Sequence, residues 1–309
     1  MRALRDAYGQ ALAELGERFQ QVVVLDADVA TSTRSVEFAK RWPDRFFNMG
    51  ISEQNMVAVA AGMALGGKVP FVNGFSAFLI ERAFNQIRQS IAYPNLSVKL
   101  CGSHAGLSSS EDGASHQMFI DICLVRALPN MTVVAPADDI ELERALPVLA
   151  LHQGPCYLRL GKIPVPRIYQ EDYQFRLGKA VEMKEGADIT ILTYGTMVAE
   201  SLEASVQLHE AGISAGVVNV HTLKPLDAAG IVDVCRRTGV VLTVEEHSII
   251  GGLGSAVAEL LAPYPDVRHR IIGLPDAFGK SGSASDLLHR FGLTRDRIAR
   301  EARDLLGAR

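Results

Sequence analysis

Two doubly wound α/β domains in tandem, the first built on a mainly parallel sheet, are predicted by three observations. Strand-like and helix-like segments alternate along the chain, the strand segments are near-continuous apolar runs, and 309 residues exceed what a single core ordinarily organises. Uninterrupted apolar runs mark strands buried on both faces, as in a parallel sheet covered by helices. A composition 48% hydrophobic and 21% charged supplies material for two cores.

The first domain is assigned to residues 1–170. It opens on a helical pattern with Leu4, Tyr8, Leu12 and Leu15 on one face. Strands are expected at Val22–Leu25, Val69–Val72, Leu96–Leu100, Thr132–Ala135 and Cys156–Leu160. Amphipathic helices are expected at Glu53–Leu65, Phe78–Ile91, Met118–Ala127 and Glu141–Leu151. The texture then changes over Gly161–Gly178, where Pro164, Pro166, Glu171, Asp172 and Arg176 break the pattern, and a linker is placed at residues 171–186. The second domain, residues 187–309, repeats the alternation. Strands are expected at Ile189–Thr193, Gly216–Val220, Val240–Val244 and Val267–Ile272, with helices Ala199–Ala211, Asp227–Arg236 and Ser255–Leu261 between them. Two short helices, Ser285–Arg290 and Arg295–Leu306, finish it.

A net charge of −4 with scattered Lys and Arg gives no basic footprint for nucleic acid. No apolar run approaches the roughly 18 residues that a membrane helix needs. The first residues enter a helix with no leader-like apolar stretch, so a cytoplasmic protein is expected. Cys101, Cys123, Cys156 and Cys235 have neither metal nor redox spacing and are expected as reduced, buried thiols.

Ligands of open parallel sheets bind beyond the carboxyl ends of the strands. Three polar loops follow strands there: Asp26–Ser35, Asn73–Ser76 and Gly102–His116. The third is long and almost devoid of apolar residues, which in a compact domain points to function. Its His104, Asp112 and His116 offer hydroxyl-binding and proton-transfer chemistry near neutral pH. A metal site is not expected, because a Ser-rich loop lacks the short, rigid ligand spacing. Glu53, taken alone, reads as a first-turn acid complementing a helix dipole behind a Ser52 cap. Arg159, taken alone, reads as a surface ion pair. Gly251-Gly252-Leu253-Gly254 hints at a dinucleotide loop but lacks the third glycine and the following acid, so a tight turn is the better reading.

Taken as an ordered set, four segments resemble the C-terminal half of transketolase: Asn48-Met-Gly-Ile-Ser-Glu53-Gln-Asn-Met56, Phe75-Ser-Ala-Phe78, His104–His116 and Tyr157-Leu-Arg159-Leu. The resemblance continues through Val220-His-Thr-Leu-Lys-Pro-Leu226 and Thr243-Val-Glu-Glu-His-Ser-Ile-Ile-Gly-Gly252, and so spans essentially the whole chain. It implies a thiamine-diphosphate pyrimidine-binding domain followed by a transketolase C-terminal domain. It also implies roles. Glu53 shares a proton with the cofactor's pyrimidine nitrogen, which makes the ring's amine basic enough to activate the thiazolium; burial of the carboxyl favours that sharing. Phe78 stacks on the pyrimidine and Phe75 closes the slot, although Ile80, Glu81 and Arg82 stand where transketolases usually add a third aromatic. Asp28 lies near the thiazolium. Asp112 orients a sugar hydroxyl, His104 and His116 reach towards the acceptor, and Arg159 with Ser32 holds the sugar phosphate. No chemistry is implied for Glu245, Glu246 or His247, which are read as interface or solvated loop.

Transketolases hold the cofactor's diphosphate through a divalent metal, Mg2+ or Ca2+, on a Gly-Asp-Gly motif, and none occurs in this sequence. The resemblance therefore implies a separate diphosphate-binding subunit, with two copies of each chain in the assembly. The expected reaction is transfer of a two-carbon ketol unit between sugar phosphates. Three alternatives stay open: the β subunit of a 2-oxo acid dehydrogenase, half of a deoxyxylulose-phosphate synthase, and a non-catalytic scaffold.

Overall fold

The structure, a computed structural model, describes residues 1–307. Its strands in chain order are β1 (Arg2–Ala3), β2 (Val22–Asp26), β3 (Phe46–Asn48), β4 (Val69–Phe75), β5 (Lys99–Ser103), β6 (Thr132–Val134), β7 (Cys156–Arg159), β8 (Pro164–Val165), β9 (Val181–Lys184), β10 (Ile189–Thr193), β11 (Ala215–Asn219), β12 (Thr222–Lys224), β13 (Val240–Ser248) and β14 (Arg268–Leu274). Seven of them form the first sheet in the order β12-β6-β7-β5-β4-β2-β3, and five form the second in the order β14-β13-β10-β11-β9. The first sheet is parallel except for β12, and the second except for β9. Every residue of β2, β5 and β7 is buried, which explains why these strands read as apolar runs.

Three local expectations need correction. Residues 181–184, placed in the linker, are β9, an antiparallel edge of the second sheet with a bulge opposite Val217/Val218. Half-exposed edge strands of four residues carry little apolar signal. Residues 222–224, in the second domain by sequence order, pair with β6 and extend the first sheet. The amphipathic stretch Phe78–Ile91 is not one regular α-helix. Two π-helical segments, Ala77–Arg82 and Ile87–Ala92, flank a short α segment, Phe84–Gln86. Such wide turns gather at functional sites. Here Leu79 and Ile80 stay in the core while Phe78 and Arg82 face the cleft.

The domains share a core. Val72, Leu79, Leu100 and Met118 of the first domain belong to the same apolar cluster as Val218, Leu223, Val241 and Leu253 of the second. The connecting segment is equally anchored. Asp138 accepts hydrogen bonds from Glu141 N (2.8 Å), Ile168 N (2.6 Å) and Tyr169 N (2.8 Å), so one carboxylate caps the helix Asp139–Leu151 and fastens the connection. The buried Glu141 accepts from Ala137 N, the Tyr173 hydroxyl and the Asn219 amide of β11, at 2.7 to 3.1 Å. Burial pushes this carboxyl up to about 7. Removing Asp138 strands three buried N–H groups, so Asp138→Ala is expected to lower unfolding stability by about 2 kcal/mol or more, read from the urea midpoint. A loss below about 0.5 kcal/mol would show that water replaces the carboxylate without cost.

Candidate active site

The loops at the carboxyl ends of β2, β4 and β5 converge on one cleft. The fully buried Asp26, last residue of β2, shapes the first of them. Its carboxylate accepts from Val29 N (2.7 Å) and from the hydroxyls of Thr33 and Ser35 (2.8 Å each). Desolvation pushes Asp26 up, against the pull of these three donors. The loop then turns through Asp28, whose φ of 64° is left-handed, and the Asn48 amide donates to Asp28 Oδ1 at 2.8 Å.

Glu53 begins the helix Glu53–Leu65 and is 5% exposed. The expected Ser52 cap is not formed, because its hydroxyl donates to Met49 O at 2.7 Å. Asp28, Glu53, Phe75 and Phe78, predicted from separate parts of the sequence, line a single cavity of about 170 Å³ together with Ile51 and Arg82. Arg82 donates to Glu53 Oε1 at 3.1 Å while its guanidinium lies 4.2 Å from the centre of the Phe78 ring. The planar guanidinium of Arg82 thus bridges the carboxyl and the aromatic face within this cavity.

The polar loop adds the other wall. His104 is buried, in a left-handed conformation, with its ring centre 4.1 Å from that of Phe75. The His116 ring stands edge-on to Phe78 at 5.0 Å. His104 Nδ1 lies 2.9 Å from Ser103 Oγ and Nε2 lies 3.3 Å from Arg5 Nη1. Burial, reinforced by Arg5, Lys162 and His116, lowers the imidazole to about 3, so it is neutral at working pH. Arg5 also donates to Ser32 O at 3.2 Å, which brings Ser32, Arg5 and His104 together, and the charge of the half-buried Lys162 is felt at the His104 ring. Arg5, Lys162 and Arg82 were missed in the sequence. Lys162 follows a buried strand at its carboxyl end, which was a usable signal; Arg5, in the first turn of a helix, gave none.

Two predicted residues stand apart. Asp112 is exposed at the end of the 3-10 turn Leu107–Asp112 and makes no hydrogen bond or ion pair among the described residues. Arg159 is 7% exposed and is not free to grip a phosphate. Its Nε donates to the fully buried Asp121 at 2.7 Å and Nη2 to the Glu246 carbonyl at 2.9 Å, so the guanidinium bridges the two domains. The phosphate role assigned to Arg159 is withdrawn on that geometry, and the basic group that does contact Ser32 and His104 is Arg5.

Glu245, Glu246 and His247 are buried rather than solvated. Glu245 accepts from Leu253 N (2.7 Å) and Gly254 N (2.8 Å), so the helix start that hinted at a phosphate loop is filled by the chain's own carboxylate. Among the described residues no three His, Cys, Asp or Glu side chains converge as metal ligands, and no helix is long and apolar enough to cross a membrane.

Residues 1–167 match the family profile "Transketolase, pyrimidine binding domain" and residues 178–298 match "Transketolase, C-terminal domain". The chain belongs to the transketolase family. A putative transketolase C-terminal section of Methanocaldococcus jannaschii is 44% identical, covering 97% of this chain and 95% of that one. A 6-deoxy-6-sulfo-D-fructose transketolase subunit of a Clostridium species is 41% identical over 98% of this chain and 94% of its own. A solved structure described as a split gene transketolase, inactive β4 tetramer, superposes with a TM-score of 0.93 at 45% identity and covers 99% of both chains. Transketolases depend on thiamine diphosphate, and the cavity at Glu53 lies in the domain named for that cofactor's pyrimidine.

A neutral His104 gives a direct check. In 15N-histidine spectra its ring nitrogens should stay fixed between pH 5 and 8; a midpoint near the usual imidazole value of about 6.5 would contradict the packing described.

Proposed function

We propose that this chain is the glutamate-bearing subunit of a two-chain transketolase that moves a two-carbon ketol unit between sugar phosphates. The observation that carries the reading is the Glu53 cavity, where a nearly buried carboxyl faces a slot walled by Phe75 and Phe78, with the two imidazoles of the polar loop at its rim. Thiamine diphosphate, when bound, supplies the carbanion chemistry that a protein side chain cannot. The chain's own contribution is orientation and proton placement. Glu53 holds a proton at the pyrimidine nitrogen, and Phe78 keeps the ring coplanar with its own face. Asp28 lines the same cavity and would face the thiazolium side of the cofactor. For that ring to enter, Arg82 must swing off Phe78, which its half-exposed side chain permits.

His104 and His116 serve the sugar. Imidazoles hydrogen-bond hydroxyls, which suits a polyhydroxylated chain better than a small 2-oxo acid, and His104 would exchange its Ser103 or Arg5 partner for a substrate hydroxyl. Asp112 reaches the same substrate only if the exposed turn closes on it. Arg5, in contact with His104 and Ser32, and the positive field of Lys162 felt at His104 suit a sugar phosphate.

The diphosphate and its Mg2+ or Ca2+ are assigned to a partner chain, in an assembly with two copies of each. Three facts support this: no Gly-Asp-Gly motif is present, the relatives of matching length are named as a section or a subunit, and the similar solved structure carries the word inactive in its description.

In the reconstituted complex, Glu53→Gln is expected to lower kcat at least ~100-fold, and the wild-type chain alone, with cofactor and magnesium, to show no turnover. Full activity of either would remove the reading. Arg5→Ala is expected to raise KM for phosphorylated substrates roughly 10- to 100-fold while changing KM for unphosphorylated sugars little; equal effects would exclude a phosphate role.

A further inference from the structure

The second domain reaches across to the substrate loop at two polar contacts, the Gln117 amide to Lys280 O and a buried carboxylate. Glu246, 2% exposed near the end of β13, directs Oε1 at the backbone N–H of Leu107 (2.6 Å) and accepts the Thr196 hydroxyl on Oε2 (2.7 Å). Leu107 opens the 3-10 turn Leu107–Asp112, between His104 and His116. The preceding Gly106 has a φ of 64°, and a Cβ there would overlap the Glu246 carboxylate, so only glycine admits this approach. The Leu107 side chain is buried in the apolar cluster of the second domain, with Ile191, Met197 and Val244.

A second path runs from the same residue. The Glu246 carbonyl accepts from Arg159, which holds Asp121 at 2.7 Å; the Tyr157 hydroxyl donates to the same Asp121 oxygen at 2.7 Å, and Ser76 Oγ lies 3.0 Å from that hydroxyl. Ser76 sits between Phe75 and Phe78. The Leu107 wall is thus tied to the Glu246 carboxylate, and the Ser76 wall to the Glu246 backbone carbonyl through a buried chain whose bonds to Asp121 are charge-assisted and whose last link, Tyr157 to Ser76, is neutral.

We propose that Glu246 is a positioning residue: the C-terminal domain uses its carboxylate to fix the turn between His104 and His116, and so contributes to substrate affinity without touching substrate or cofactor. The proposal rests on the ketol-transfer reading for its kinetic consequence, while the anchoring of the loop can be read without any turnover.

The test uses the full chain and its reconstituted complex. For Glu246→Ala, backbone amides of residues 104–116 should exchange with deuterium at least ~10-fold faster, in line with loss of a hydrogen bond to a charged group. KM for the ketose phosphate should rise by a similar factor, and the dissociation constant of thiamine diphosphate should stay within about two-fold. Glu246→Gln keeps an acceptor for Leu107 N–H and should restore both exchange and KM. If the alanine variant does not fold, Gly106→Ala pushes the loop off the carboxylate and should reproduce the local exchange. Unchanged exchange in residues 104–116, or exchange rising equally throughout the second domain, would overturn the proposal, as would a glutamine variant no better than alanine. A wild-type complex inert towards every ketose phosphate would instead overturn the functional reading, leaving the exchange result to judge Glu246.

Discussion

The arrangement depends on a buried charge. Arg159 ends a strand whose every residue is inaccessible, and its guanidinium is neutralised by Asp121, equally buried, and bonded to a carbonyl of the other domain. Breaking such a pair by removing one partner typically costs about 3–5 kcal/mol, whereas an apolar replacement of the whole pair can be neutral. The pair is therefore weak grounds for stability and strong grounds for specificity of docking. An arginine whose partners come from two domains fixes their relative position more narrowly than apolar contact does, because hydrogen bonds are directional.

That fixed position explains the division of labour. The first domain presents aromatic and acidic groups at the edge of its sheet, where strand ends release the chain into loops. Those loops are not self-supporting. The one after β2 is folded around Asp26, and the one after β5 leans on the second domain through Leu107, Glu246 and the Gln117 amide, which donates to Lys280 O at 2.8 Å. A long loop with Leu107 as its one large apolar side chain would otherwise be mobile, and mobile imidazoles make poor ligands because their ordering opposes binding.

The cleft brings together a carboxyl, two aromatic rings, two imidazoles and the Arg5 guanidinium. Arg82 satisfies the carboxyl and the aromatic face within the chain. A buried carboxylate without a partner is costly, and this pairing removes that cost in the chain by itself.

The sequence alone determined the alternation of strand and helix and the central strands, because buried parallel strands leave linear signatures, and its ordered motifs singled out Glu53, Phe75, Phe78 and the two loop histidines, which the fold brings together. It could not place what depends on neighbours distant in the chain. The exchange of residues 222–224 into the first sheet, the edge strand at residues 181–184 and the π-helical turns around Phe78 follow from packing rather than periodicity. Arg159 was misread for the same reason: a strand-end arginine looks alike in sequence whether it faces a ligand or a buried aspartate 38 residues earlier. Only the tertiary structure decided that Arg5 stands in the cleft and that the acidic run after Val244 faces inward, since the direction of a side chain is set by what closes over it.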